Sequence, residues 1–393
     1  MNVYVRDLSR ELGRRGIGVD VFTRSQDEHV PHVLHELGYG NRVVHIPAGP
    51  ETHIEKNVHL RYLQEFVDGI KSFAKVKGEH YHLLHSHYWL SGLAALSLRE
   101  TWNIPLIQMF HTLAVMKNRV ARTPEEASSD QRLESEQRLL READRVVVAT
   151  RAELAQIQWL YQEQTANVVV IPPGVDTSRF YPIDQEEARE FIGVPCEDRL
   201  LMFVGRIEPL KGIDTLIEAV AILRKKEEFR ANPFCLAVIG GDPDVSQEAM
   251  TAEMERLQTL SETLGLDDLV LFLGKRDQDT LQYYYSAAEV VVLPSHYESF
   301  GLVALEAMAC GTPVVASETG GLVYLVRDGE TGFHVPAVDP VALAEKLQLL
   351  LLDDELRAVL GYQAAEYAKA YAWPVVVDQI LDLYASLLDQ KLA

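Results

Sequence analysis

In 393 residues, 37 Lys and Arg stand against 58 Asp and Glu, a net charge of −21 that opposes nonspecific attraction to nucleic acid or to an anionic membrane surface. The apolar share of 47% and charged share of 24% are those of a globular chain, and the length suits two domains of roughly 150 to 200 residues each. The sequence contains no apolar run of the ~18 residues that a spanning helix needs, so no integral membrane segment is expected and the cytoplasm is the default compartment.

The opening MNVYVRDLSRELGRRG reads as an amphipathic helix with Val5, Leu8 and Leu12 along one side. Apolar runs then alternate with helical stretches: VDVFT (19–23), VVHIP (43–47), HLLHSH (82–87), PLIQMF (105–110), RVVVAT (145–150) and NVVVIP (167–172). Runs without polar alternation suit a parallel sheet covered on both faces. A second series follows: LLMFVG (200–205), CLAVIG (235–240), LVLFLG (269–274), VVVLP (290–294) and TPVVAS (312–317). The expected fold class is α/β, with two doubly wound Rossmann-like domains facing a cleft and joined near PPGVDTSRFYP (172–182). Residues 1–175 and 176–371 form the two domains in this reading, and the tail 372–393 is a helix that packs back on the first. A doubly wound sheet normally begins with a strand and a Gly-rich turn, whereas this chain begins at the helix. The reading therefore expects an apolar strand and a Gly-Gly turn ahead of Met1, and an interruption at the centre of the first sheet. Cys196, Cys235 and Cys310 are isolated and read as buried free thiols rather than a disulfide framework or a metal site.

Chemistry concentrates in VVVLPSHYESFGLVALEAMACGTPVVAS (290–317). A loop after a strand carries Glu298, and a helix beginning near Phe300 contains Glu306. Eight residues of helix separate two side chains by about 12 Å on nearly one side. Glycosidase carboxylate pairs lie about 5 to 9.5 Å apart across one bond, so this pair better suits two parts of an extended ligand. Between the acids, the amides of Ser299, Phe300, Gly301 and Leu302 stand at a helix N-terminus, where a diphosphate fits. The alternative is that both glutamates are solvated or capping acids, but an acid buried within LVALEAMA needs a partner. In MFVGRIEPLKGIDTLIEAV (202–220), Arg206 and Lys211 flank a loop at the C-terminal edge of the second sheet. Two cations there can neutralise a departing diphosphate, although alone they also read as ordinary surface charges. In the first domain, His87-Tyr88 and His111-Thr112 follow strands. A metal site of His85, His87 and His111 is weighed and set aside, because no carboxylate or cysteine stands at a ligand spacing.

With Arg206, Lys211 and Glu298-x7-Glu306 in place, the chain resembles, over essentially its whole length, the retaining glycosyltransferases of family 4, which have the two-domain GT-B fold. The resemblance implies that Arg206 and Lys211 bind the diphosphate of a UDP-sugar donor, Glu306 its ribose, and Glu298 its sugar. His111, in HTLAVMKN, matches the family histidine beside that sugar, so His111, Arg206, Lys211 and Glu298 are the implied catalytic set. The N-terminal motifs resemble the branch that transfers N-acetylglucosamine to D-inositol 3-phosphate, with sucrose-phosphate synthases as near relatives. That likeness implies a small phosphorylated acceptor held by Asn2, Lys56 beyond AGP (48–50), Tyr88, Thr112, and Arg132 before Glu136-Gln137. It implies retention, with the leaving phosphate able to take the acceptor proton, no cofactor and no metal; a homodimer stays open. A sucrose-phosphate-type synthase and a non-catalytic nucleotide-sugar-binding protein are the competing readings, and turnover separates the second from both enzymes.

Overall fold

The computed structural model describes residues 1–55, 58–121, 127–193, 199–241 and 247–392. The chain forms two compact units, one of Met1–Gly174 with Trp373–Ala393 and one of Val175–Ala372. Each is α/β and Rossmann-like, with all but one strand pairing parallel among the described residues.

The first unit contains β1 (Asp20–Arg24), β2 (Val33–Leu34), β3 (Arg42–Ile46), β4 (Leu84–His87), β5 (Leu106–Met109), β6 (Arg145–Val148) and β7 (Val168–Val170). They fall into two sheets, β1-β3-β2 and β4-β5-β6-β7, and no ladder joins the two among the described residues. The antiparallel strand β2 is absent from the sequence reading because two residues carry no periodicity. Each sheet keeps its own core. Val44, Ile46, Val67, Ile70 and Leu98 pack on one, and Leu106, Phe110, Leu139, Val146 and Ile157 on the other. The helix Asn2–Arg14 buries Leu8 and Leu12 from the expected stripe and adds Tyr4, while Val5 is half-buried. The helix Trp373–Leu392 belongs to this unit: Arg15 Nη1 meets Asp378 at 2.6 Å, and the Trp373 ring meets Tyr4 edge-on at 5.2 Å.

The second unit holds β8 (Arg199–Val204), β9 (Phe234–Ile239), β10 (Val270–Gly274), β11 (Val290–Leu293), β12 (Val314–Ser317) and β13 (Gly332–Val335) in one parallel sheet ordered β10-β9-β8-β11-β12-β13. The edge strand β13, GFHV, escapes a sequence reading because it opens on a glycine directly after the turn-like DGET (328–331). β9, β11 and β12 are buried along their whole length, as a sheet covered on both faces requires. Strand order reverses between β8 and β11, the switch point at whose carboxyl ends doubly wound sheets bind ligands. Three helices of this unit start at carboxylate caps: Asp184, Asp339 and Asp353 each accept first-turn amides. Cys310 is a buried free thiol as expected, Cys235 on β9 is disulfide-bonded, which corrects the reading of that residue, and Cys196 lies outside the described residues. Among the described residues, no helix is long and apolar enough to cross a membrane.

Candidate functional site

In the second unit, the loops after β8 and β11 meet because a glycine allows it. Gly212, at φ 63°, ends the turn Pro209–Lys211, and a Cβ there would stand 2.2 Å from the Pro294 carbonyl oxygen. The His296 amide donates to the Leu210 carbonyl at 2.9 Å and fastens the two loops together. Lys211 Nζ consequently donates to Glu298 Oε2 at 2.6 Å, across 87 positions of sequence, with both side chains largely covered. Arg206, half-exposed on the same loop, pairs with Glu208 at 2.9 Å.

The helix that contains Glu306 begins at Leu302, two residues beyond the expected Phe300, and no side chain caps its first turn. Glu298 therefore lies in the loop before the helix, with Ser299, Phe300 and Gly301 leading into the amide of Leu302. Glu306 is half-buried, and its Oε2 accepts from the Tyr285 hydroxyl at 2.8 Å. Burial, then the charge of Glu306, pushes that phenol well above its usual value, so Tyr285 remains a hydrogen-bond donor. Sequence reasoning passed over Tyr285 because YYY (283–285) reads as core; its signal was that a buried tyrosine hydroxyl needs a partner. It also passed over Thr319-Gly320-Gly321, the turn directly after β12. There Thr319 Oγ1 donates to the Ser295 carbonyl at 3.1 Å and the Gly321 amide to the Glu298 carbonyl at 2.9 Å.

The first unit gathers a second group at the carboxyl ends of β4 and β5. Tyr88 has φ 77° and ψ 157°, a region close to glycine-only, and His111 has φ 63°. Such strain persists only where surrounding structure enforces it, and it clusters at functional sites. Arg132 Nη2 donates to the Thr112 carbonyl at 2.8 Å and to Thr112 Oγ1 at 3.2 Å, and the guanidinium lies 5.0 Å over the Tyr88 ring. Tyr88, Thr112 and Arg132 are thus brought together. Asn2, exposed in the first turn of its helix, shares none of the bonds that join them, and Lys56 lies outside the described residues.

The three histidines do pack as neighbours. His87 Nδ1 and His111 Nε2 are 3.0 Å apart, His85 stacks on His87 at 4.5 Å, and His85 Nδ1 is 2.8 Å from the Tyr384 hydroxyl. Burial holds His85 down at about 4 and His111 at about 3, and His87 lies well below its usual value, so all three are neutral at pH 7. Among the described residues, no group of three His, Cys, Asp or Glu side chains could hold a metal ion.

Residues 1–174 match the family model of the glycosyl transferase 4-like domain, and residues 184–367 that of glycosyl transferases group 1. The D-inositol 3-phosphate glycosyltransferase of Nocardiopsis dassonvillei is 39% identical over 385 residues, 98% of this chain and 89% of that protein. Sucrose-phosphate synthase from Thermosynechococcus elongatus superposes with a TM-score of 0.88 at 36% identity, over 99% of this chain and 94% of that one. Anabaena HepE in complex with UDP-glucose shares the fold, with a TM-score of 0.75 at 21% identity over 98% and 95% of the two chains. The chain therefore belongs to the family 4-like, group 1 glycosyltransferases and is an enzyme of that class with the GT-B fold.

Proposed function

We propose that this glycosyltransferase is a retaining enzyme that moves a hexose or N-acetylhexosamine from a UDP-sugar to a small phosphorylated acceptor such as D-inositol 3-phosphate. The observation that carries the reading is the meeting of Lys211 with Glu298, 2.6 Å apart at the carboxyl ends of β8 and β11. The second unit is the nucleotide-sugar half. Arg206 and Lys211 neutralise the diphosphate, beside the amides of Ser299, Phe300, Gly301 and Leu302. Glu298 contacts the sugar, and Glu306, held by Tyr285, contacts the ribose. The first unit is the acceptor half: Arg132, Thr112 and Tyr88, with Asn2 and Lys56, hold the acceptor and its phosphate, and His111 stands by the sugar. The acceptor oxygen bonds to the anomeric carbon as that carbon's bond to the diphosphate oxygen breaks, and the departing phosphate takes the hydroxyl proton. The reading needs no metal or other cofactor.

The D-inositol 3-phosphate glycosyltransferases among its relatives support an inositol phosphate acceptor. Similarity to a sucrose-phosphate synthase favours a second reading, with glucose as donor sugar and fructose 6-phosphate as acceptor. UDP release, measured for UDP-N-acetylglucosamine and UDP-glucose against each acceptor and its unphosphorylated analogue, separates the two. Turnover with inositol 3-phosphate supports the first reading, and turnover with fructose 6-phosphate alone supports the second. Equal turnover with and without the acceptor's phosphate removes both.

A further inference from the structure

Arg132 is held by more than its own helix. Its Nε donates to Glu136 Oε1 at 2.7 Å, one helical turn on, and Glu136 is fully buried. The other oxygen of that carboxylate, Oε2, accepts from the Ala114 amide at 2.9 Å and from the hydroxyl of buried Tyr161. The Tyr161 oxygen in turn accepts from the Val115 amide at 3.4 Å. Ala114 and Val115 open the helix Ala114–Val120, and its N-cap, Leu113, supplies no side-chain cap. One carboxylate and one phenol therefore tie the start of that helix, and Thr112 two residues before it, to the guanidinium plane of Arg132.

We infer that Glu136 and Tyr161 are positioning residues, which lock Arg132 and the Thr112 turn into a single preformed edge for the acceptor's phosphate. The inference rests on the reading of Arg132 as a phosphate ligand. With Nε engaged by Glu136, Nη2 by Thr112 and one face on the Tyr88 ring, the guanidinium has one orientation, and its Nη1 edge faces Ser128 at the longer distance of 3.4 Å. A pair kept only for stability does not need this arrangement, since replacing a buried ion pair with packed apolar side chains is often neutral. Here the carboxylate serves two elements at once, as the outer partners of binding groups do when they set the aim of a ligand. A single pair of contacts could hold Arg132 while leaving the Thr112 turn loose; the shared carboxylate holds both.

The test is steady-state kinetics of Glu136→Gln, Tyr161→Phe and Arg132→Ala with D-inositol 3-phosphate, alongside inhibition by inorganic phosphate. Glu136→Gln keeps an acceptor for the Ala114 amide and loses the charge. We expect it to raise the acceptor KM about tenfold and to weaken phosphate inhibition in parallel, with Tyr161→Phe showing the same pattern at about threefold. The donor KM stays at the parent value in both. Equal rises in donor and acceptor KM, or an unchanged acceptor KM in both variants, overturn the inference, and Tyr161→Phe provides the answer if Glu136→Gln does not fold. If Arg132→Ala itself leaves the acceptor KM unchanged, the proposed function fails; if Arg132→Ala raises it and the other two do not, only the present inference fails.

Discussion

The acid Glu306 and its partner Tyr285 can be separated by substitution. Glu306→Ala removes the ribose ligand of the proposed donor site, whereas Tyr285→Phe removes only the hydrogen bond that orients it. A hydrogen bond to a charged carboxylate contributes about 1.5 to 3 kcal/mol, so Tyr285→Phe should weaken UDP binding by about tenfold or more and Glu306→Ala further still, both read by calorimetric titration. Glu298→Gln should instead lower kcat more than affinity. A second residue, Glu153, governs a pH dependence. Burial raises its carboxyl from 4.5 to about 7, and its main counterweight is the Ala149 amide, which donates to it at 2.8 Å. Because the folded value lies above the unfolded one, its contribution is intact below pH 4.5 and is lost as the pH rises through about 7. Glu153→Gln keeps the acceptor and cannot ionise. It should match the parent near pH 4 and exceed it near pH 8 by up to about 3 kcal/mol in denaturant unfolding. A constant difference between the two proteins across that range would mean that Glu153 is not the titrating group.

The turn Thr319–Gly321 works as a backing plate for the loop that carries Glu298. Gly320, at φ 50°, stands where a Cβ would lie 1.8 Å from the Glu298 carbonyl oxygen, a backbone atom that cannot swing aside. Gly320→Ala therefore has to push the loop away or give up the turn, at a cost of roughly 2 to 3 kcal/mol including the left-handed conformation. The expected result is a fall in kcat of at least about tenfold, with the circular dichroism spectrum of the parent, because the sheet beneath is untouched. Parent-like kcat would show that the position of Glu298 does not depend on the turn. The same element shows where sequence reading ends. Thr-Gly-Gly after a strand looks like any tight turn, and only the close approach of two loops distant in sequence explains why glycine is required. Glu306 stands out because an acid interrupts an apolar run, Glu298 because it lies in the loop between a strand and that run, and Arg206 and Lys211 because they follow a strand. Glu136 and Tyr161 do not stand out: one reads as a helix-surface acid and the other as core, and their shared role exists only where the Ala114 amide and the Tyr161 hydroxyl meet on one Glu136 oxygen.

Over the whole molecule, the two units differ in the continuity of their sheets. Among the described residues, the second has six strands in one ladder over one large core, and the first has seven strands divided between two sheets with separate cores. Cooperative stability follows contiguous buried contacts, so amide exchange should be slowest in β8, β9 and β11 and faster in β1 and β4, which no ladder among the described residues joins. Exchange as slow in β1 and β4 as in β8 would contradict this. The sequence by itself determined the α/β class and its two series of strands, because burying a parallel sheet on both faces demands continuous apolar runs that need no partner to be recognised. It also supplied the charged residues of the candidate site, since acids and bases beside such runs are conspicuous. Tertiary structure alone decided the strand order, the short strands β2 and β13, the disulfide bond of Cys235, the meeting of Lys211 with Glu298 and the bracing of Arg132 by Glu136. Periodicity reports which side of an element is buried, but the neighbour that covers it is set by long-range packing, to which local spacing is blind.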